Sequence, residues 1–385
     1  MRHSKRISAA LSLLAAAPAL AATLQVHPGQ SIQAAVDRAQ AGDTLEVFPG
    51  TYHEAGRPCP TDSSQRCAVA VTKNDIQLVG LEEPGHPVVL ATSAGQDQGI
   101  AFGKPNASGP VCLSTASQRI QGAAVRGFTV NGFSSVGLSL FCVDHFTIQD
   151  SSANGNGEYG IFPSHSGFGR ITDNTATGSN DTGIYVGQSH DVRVDHNTAT
   201  GNVSGFEIEN STRVELDHNL ATGNTGGILS FTLPFLDVNS NHDNSIHDNT
   251  AVLNNKRNTC LHPTDDVCGV PEGTGILLLA VQRNEVRNNA ALGNNSFGIA
   301  LSDTCTANQL PLQVCQALGI DPFPNGNEIE ENVALGNGQS PDPVRLPPGS
   351  QGGDLIWTGL GHRNCWSENV SLINISPILP LPACD

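Results

Sequence analysis

From residue 160 onward, apolar residues recur at every second position in short bursts, each opened by glycine. Gly160-Ile161, Gly183-Ile184, Gly205-Phe206, Gly227-Ile228, Gly275-Ile276 and Gly298-Ile299 start these bursts. A second series ends in asparagine: Ile171–Asn174, Val194–Asn197, Leu216–Asn219, Ile246–Asn249, Val286–Asn289, Ile329–Asn332 and Ser367–Asn369. Its asparagines are spaced by 23, 22, 30, 40, 43 and 37 residues. Between the two series lies a polar turn such as Ala199-Thr200-Gly201-Asn202 or Ala221-Thr222-Gly223-Asn224. A period of two marks β-strands, and the Gly, Asn and Thr content excludes helical repeats. A unit of little over twenty residues made of short strands is one turn of a solenoid. The pattern therefore predicts an all-β, single-stranded right-handed parallel β-helix. Ile171, Val194 and Leu216 should stack inward at about 4.8 Å per coil. The repeated asparagines should bond one another at the turns, where no sheet ladder reaches the backbone.

The larger spacings are insertions. Lys256–Glu272 and Asp303–Asn325 each hold two cysteines, and Gln339–Gly353 is rich in Pro and Gly; together they are expected to wall one side of the solenoid. Near the N-terminus, Ser31 precedes Ile32, Ala35, Val36 and Ala39 at helical spacing. That predicts a capping helix over the open end of the core. The chain from Ser371 to Asp385 should cover the other end. Residues 22–385 then form one β-helix domain with disulfide-stapled insertions.

Arg2, Lys5 and Arg6 precede an apolar run from Ile7 to Leu20 and the small-x-small pattern Ala19-Leu20-Ala21. This reads as a signal peptide over residues 1–21, too short to be a membrane anchor. No later segment is apolar over the ~20 residues a membrane span needs. The net charge is −17, and losing those three cations leaves −20. So acidic a chain repels nucleic acid and anionic lipid, and disfavours polyanionic sugars unless a metal mediates. Ten cysteines with an export signal predict disulfides and a secreted or periplasmic setting. Proximity pairs them as Cys59–Cys67, Cys112–Cys142, Cys260–Cys268, Cys305–Cys315 and Cys365–Cys384. No Cys-x-x-Cys occurs to suggest zinc.

The segment SIQAAVDRAQAGDTLEVFPGTYHE (31–54) resembles the capping helix and first coil of the pectin-lyase-like β-helix superfamily. YGIFPSHS (159–166), DTGIYVGQSHDVRVDHNTATGNVSGFEIENST (181–212) and NTGGILSF (224–231) are similar to a group of exported bacterial parallel β-helix repeat proteins. That resemblance covers most of the mature chain. It implies the fold, and an exported partner such as a c-type cytochrome-like protein. It does not imply a reaction, because β-helices host lyases, hydrolases, epimerases and binders alike.

Alternation assigns faces to the glycine-opened strands. Ile184, Val186, Phe206 and Ile208 turn inward, while Tyr185, Glu207 and Glu209 turn outward. Stacking sets Tyr185 beside Glu207 and Leu229, and Glu209 beside Phe231. Asp181 stands just before its strand, and His165, Gln188 and Asn210 lie beyond the strand ends. Acids, amides and aromatics on one face suit a saccharide. Glu207, Glu209 and Asp181 are the catalytic candidates, with Tyr159, His165, Tyr185, Gln188, Asn210 and Phe231 binding substrate. Glu207 and Glu209 should lie roughly 6.5–7 Å apart by strand rise. That is the lower edge of the ~6.5–9.5 Å range for an inverting hydrolase pair. With Asp181 they also form an oxygen-only set of the kind Ca²⁺ takes.

Other chemistries have less support. A pectate-type lyase wants a Lys or Arg base on this face, and Arg170 and Arg193 fall on another strand. Polygalacturonase-type motifs are absent in order. Tyr159-Gly160-Ile161-Phe162-Pro163-Ser164-His165 partly matches the Tyr-Gly-x-Asp-Pro-His motif of alginate C5-epimerases, but it lacks the Asp and shifts the His. His196 and His218 share a turn column with Asp173 and Asp248, which favours a solvated turn over a metal site. The Arg170/Arg193/Glu215 column reads as a surface ion-pair ladder contributing little. The expected function is binding or modification of a polysaccharide, as lyase, hydrolase or epimerase if an enzyme. The alternative is a non-catalytic scaffold for another exported protein.

Overall fold

The computed structural model describes residues 21–81, 83–93 and 95–384. The apolar export run at 1–20 falls outside the described residues. The chain winds as a right-handed parallel β-helix with three faces, formed by parallel sheets of 12, 10 and 12 described strands. On one face Ile161, Ile184, Phe206, Ile228, Ile276 and Ile299 stack coil upon coil. On a second, Ile171, Val194, Leu216, Ile246, Val286, Ile329 and Trp366 do so. The third carries alanines: Ala153, Ala176, Ala199, Ala221, Ala251, Ala291 and Ala334. One continuous core runs from Val26 to Trp366.

The alanine column explains the Gly-Ile motif. A β-carbon on Gly160 would meet those of Ala176 and Ala153 at 3.2 and 3.3 Å, and the Gly183 carbonyl oxygen at 2.5 Å. Only glycine lets the first and third sheets come this close.

The asparagine ladder forms as the repeat suggests. The backbone N–H of Asn174 donates to Asn197 Oδ1 at 2.9 Å, and that of Asn197 to Asn219 Oδ1 at 2.9 Å. The chain of bonds continues through Asn249, Asn289, Asn332 and Asn369. Each Nδ2 also reaches a strand carbonyl, as from Asn197 to Ile171 at 2.9 Å. A second ladder runs through Asn202, Asn224, Asn254, Asn294 and Asn337 to Asp354. At about 1 kcal/mol net per satisfied bond, and more where loss would strand a buried donor, the ladders fix coil register. The residue before each first-ladder asparagine is left-handed, with φ of 57° at Asp173 and His196 and 56° at His218. Asp, Asn and His tolerate that region best, which accounts for this column's composition.

Helix α1 (Ile32–Arg38) packs Ile32, Ala35 and Val36 onto the core at the N-terminal end. Ser31 caps it, accepting from the Ala34 N–H at 3.0 Å. Lys73 Nζ closes its last turn by donating to the Val36, Asp37 and Ala39 carbonyls. At the far end the Trp357 and Trp366 rings meet at 5.1 Å, tilted by 43°, and Cys384 bonds Cys365. All ten cysteines are paired as proximity suggested. That places the protein in an oxidising, secreted or periplasmic setting.

One expectation changes here. The Arg170/Arg193 column is not a loose surface ladder. Arg170 forks onto Asp195 at 2.7–2.8 Å, and Arg193 onto Asp217 at 2.9–3.0 Å. Both carboxylates are 0 % exposed. Alternation alone does not show that Asp195 and Asp217 close the ends of these strands from within, where each needs a cation.

Candidate functional site

Four consecutive strands carry the outward face of interest: β1 (Tyr159–Ser164), β2 (Thr182–Gly187), β3 (Ser204–Glu209) and β4 (Gly226–Phe231). Register aligns Tyr185 with Glu207 and Leu229, and Gly187 with Glu209 and Phe231. The face is roofed. The three insertions and the segment 232–240 close over it, leaving a cavity of about 970 Å³. The roof is internally tied. Arg345 from the third insertion donates to the Cys268 carbonyl (2.8 Å), Glu272 (3.3 Å) and Asp342 (3.0 Å). Within the first insertion, Asn258 Nδ2 donates to the Val267 and Val270 carbonyls at 3.0 and 3.1 Å. Asp303 caps the first helix of the second insertion and accepts from Thr358 Oγ1 at 2.7 Å.

The cavity is divided in character. Glu158, Tyr159, Asp181, Glu207, Glu209 and the rim pair Asp265-Asp266 line one part; Leu229, Phe231, Leu277, Leu279, Phe297 and Ile356 line another. Glu207 is 4 % exposed. Burial pushes its carboxyl well above the usual range, and the neighbouring Asp181 charge adds to this. The Ser204 and Thr182 hydroxyls beside it act in the opposite direction, and Thr182 Oγ1 also donates to Asp181 at 2.9 Å. Burial likewise raises Glu209 to about 7, against the lowering effect of the Tyr185 hydroxyl. Burial raises Asp181 to about 6, with the charges of Glu158 and Asp265 acting in the same direction. Arg345 is the one cationic side chain in the described lining, and it is held by the roof acids.

Of the residues expected to bind substrate, Tyr159 and Phe231 line this cavity. Tyr185 lies beneath it. Its ring stacks on Phe162 at 4.6 Å and meets Tyr159 at 5.4 Å, while its hydroxyl donates to Glu209 Oε1 at 2.9 Å. It positions Glu209 instead of offering a face to a sugar. Gly187 makes this possible, since a β-carbon there would overlap the Tyr185 ring and hydroxyl. His165, Gln188 and Asn210 are left-handed residues at the strand ends, with φ of 52°, 50° and 43°. They anchor the roof and do not face the cavity. Asn210 Nδ2 donates to the Leu233 and Val238 carbonyls at 2.8 and 2.6 Å. Gln188 Oε1 accepts from the Val238 N–H at 3.2 Å, and His165 Nε2 lies 3.2 Å from Asp237.

The sequence reading missed Glu158, Asp265 and Asp266. Glu158 was traceable, because it holds the same place before β1 that Asp181 holds before β2. The aspartate pair was not, because an insertion's fold cannot be read from the repeat. The oxygen set proposed for Ca²⁺ is not gathered in this structure. Among the described residues, only Glu215, Asp217 and His247 bring potential ligand atoms within 4.8 Å of one another.

Fold and cysteine pairing define an extracytoplasmic parallel β-helix repeat protein. A model of the family described as periplasmic copper-binding protein (NosD) matches residues 107–268. No curated protein matches the chain. Among solved structures, the chain is similar to the A-module of the Azotobacter vinelandii mannuronan C-5 epimerase AlgE4. The TM-score is 0.63 and the identity 16 %, over 92 % of this chain and 94 % of that one. The A-module of the Azotobacter vinelandii epimerase AlgE6 gives 0.53 and 14 %, over 92 % and 93 %. A mutant of the periplasmic alginate epimerase AlgG gives 0.50 and 14 %, over 90 % and 73 %. At such identities these likenesses establish the fold, and the chemistry must be argued from the site.

Proposed function

We propose that this protein binds and modifies a carbohydrate in the roofed cavity, with Glu207 and Glu209 as an acid–base pair. One observation carries the reading: two carboxyls on one strand face, Glu207 buried and Glu209 half-buried, line one saccharide-sized cavity and are both raised by burial. Burial and the Asp181 charge favour the protonated form of Glu207, which suits a general acid. Glu209, raised to about 7, is partly ionised at neutral pH and serves as the base. The Tyr185 hydroxyl holds it in place. Two residues apart on one face, the pair is spaced by roughly 6.5–7 Å of strand rise. That leaves room for a water between base and sugar, the inverting arrangement. In that step Glu207 gives its proton to the departing glycosidic oxygen, and Glu209 takes one from the water that attacks the anomeric carbon. Fold-level likeness to epimerases that act on mannuronan is in keeping with a carbohydrate role, but the acidic lining does not suit so anionic a polymer.

The copper named in the matching family's description meets no thiolate or thioether donor among the described residues, and the one clustered His/Asp/Glu set is already ion-paired. Soft thiolate and thioether ligands are lacking, because every cysteine is in a disulfide and the one methionine is Met1. Glu215, Asp217 and His247 are engaged by one another, by Arg193 and by Asp248. The His196 and His218 rings stack parallel at 5.0 Å, their Nδ1 atoms held by Asp195 and Asp217. Parallel rings direct their free nitrogens side by side, not toward a common ion.

The test is a panel of neutral, amino and uronic polysaccharides, scored for binding and for new reducing ends, with wild type and Glu207→Gln. Binding with cleavage that the variant lacks supports the reading. Failure to bind any saccharide, with recovery of a protein partner from periplasm or medium, would replace it with a scaffold role.

A further inference from the structure

Resting on that reading of the cavity, the charge layout also bears on what kind of saccharide enters. A polyanion is disfavoured by the lining itself. Its acidic part presents Glu158, Asp181, Glu207 and Glu209, with Asp265 and Asp266 at the mouth. The single lining cation, Arg345, is taken by Glu272 and Asp342.

A neutral sugar would leave this arrangement as strained as it is when empty. Asp181 sits within the fields of Glu158 and Asp265, and its own charge bears on Glu207. Glu207 is nine-tenths buried and faces the cavity, and only the Ser204 and Thr182 hydroxyls work to lower it. Natural proteins seldom leave so many acids together without a cation, because each raises the cost of ionising the next. A bare divalent ion is a poor fit, since the oxygens of Asp181, Glu207 and Glu209 do not converge within the 4.8 Å that marks the Glu215 cluster. An organic ammonium needs no such convergence. Its three N–H donors reach acceptors several ångströms apart, and the aromatic group Tyr159–Phe162–Tyr185 lies beside them.

We propose that the cavity takes an amino sugar, a saccharide with a free primary ammonium. That group would sit among Glu158, Asp181 and Asp265, with the sugar's C–H face on Leu229 and Phe231. The ammonium offsets the acid cluster next to Glu207 without lying on the general acid. The same arrangement selects against two competitors. N-acetylation removes the charge and leaves the acids unrelieved, and a uronate adds a further anion to them.

The groups facing the ammonium come from three sides. Glu158 and Tyr159 approach from β1 and its lead-in, and Asp181 from the start of β2. Glu207 and Glu209 stand on β3, and Asp265, Asp266 and Arg345 on the roof. A cation arriving here lowers the proton affinity of the carboxyls, so binding should release protons to the buffer.

The experiment is calorimetry of the full protein at pH about 5, where the sugar amine is fully protonated, with three probes: a β-1,4-linked glucosamine tetramer, its fully N-acetylated form and a galacturonate tetramer. The glucosamine tetramer is expected to bind at least about tenfold tighter than the acetylated form, a difference of about 1.4 kcal/mol. The galacturonate should give no measurable heat. Glu158→Gln and Asp265→Asn, which remove charge at the rim and lead-in, should each narrow the glucosamine preference severalfold. In wild type alone, the heat should vary with buffer ionisation enthalpy in the sense of proton release, a readout that needs no variant to fold. Equal or tighter binding of the acetylated tetramer overturns the amino-sugar assignment while leaving the carbohydrate reading standing. So does binding of the glucosamine tetramer without proton release. Absence of binding by all three probes and by the neutral polysaccharides defeats the carbohydrate reading itself.

Discussion

The same coils carry two sets of buried acids on different faces, and the two behave in opposite ways. On one face Asp195 and Asp217 are fully buried, and each receives a two-pronged arginine. Burial works to raise Asp195, but the bonds from Arg170, His196 and Thr172 outweigh it and hold the carboxyl at about 2. On the cavity face Glu207, Glu209 and Asp181 meet no free cation in the described lining, and all three are raised. Burial does not explain the difference, since Glu207 is buried much as Asp195 and Asp217 are. What differs is whether the chain supplies its own counter-ion. One set is completed within the fold; the other is left for something that arrives.

The largest test of that contrast is on turnover. Glu207→Gln or Glu209→Gln should lower saccharide turnover by about 10²–10⁴-fold. The unfolding midpoint should hold or rise, because an acid raised by burial is lost while the Gln amide oxygen can still accept from the neighbouring hydroxyls. Variants with full activity would remove the pair from the chemistry.

The mirror experiment is on stability. Arg193→Met leaves Asp217 buried without its cation and should cost about 2 kcal/mol in urea unfolding. That figure sits below the fully buried case because Arg193 is 43 % exposed. A loss no larger than that of a surface arginine would erase the distinction between the faces.

The pH dependence should run in opposite directions. Asp195 has a depressed proton affinity in the fold, so its contribution is complete above an unfolded value of about 4 and is lost as pH falls toward about 2. Glu209 and Asp181 are raised, to about 7 and about 6, so the folded form binds more protons than the unfolded chain between about 4 and 7. Their contribution therefore declines as pH rises through that window. Thermal melts of Glu209→Gln/Asp181→Asn should show a weaker decline, the part from Glu207 remaining, and keep the acid-side loss. An unchanged slope between about pH 4 and 7 would contradict the assignment.

The smallest effect concerns Tyr185. Its hydroxyl lowers Glu209. Tyr185→Phe should move Glu209 upward and shift the acidic limb of the rate profile to higher pH by about half a unit. Gly187→Ala should reproduce that shift by displacing the ring. A profile identical to wild type in both variants would dismiss the positioning role.

The fold was readable because solenoid geometry repeats. Asn197 and Asn219 bond as their spacing implied, and the same one-coil step put Tyr185 beside Glu207 and Glu209 beside Phe231. What escaped was everything set by chain that leaves the repeat. Alternation gives Tyr185 an outward direction but not the roof above it, so an apparent sugar platform is a support for Glu209. His165, Gln188 and Asn210 seemed to extend the face, yet their left-handed backbone turns them toward segment 232–240. Asp265 reached the site from an insertion with no register to follow. Strand pairing is periodic and local to a coil; a cavity wall is neither.

The paired ladders through Asn197 and Asn202 have a consequence for how such a molecule changes length. Each rung is satisfied by the rung above and the rung below, so one more 22- or 23-residue unit slipped between neighbours would find its bonds waiting. The trough would grow by about 4.8 Å without becoming wider or deeper. Reach along a polymer and chemistry at its acids are thus separate dials, the first turned by duplicating a coil and the second by rebuilding an insertion.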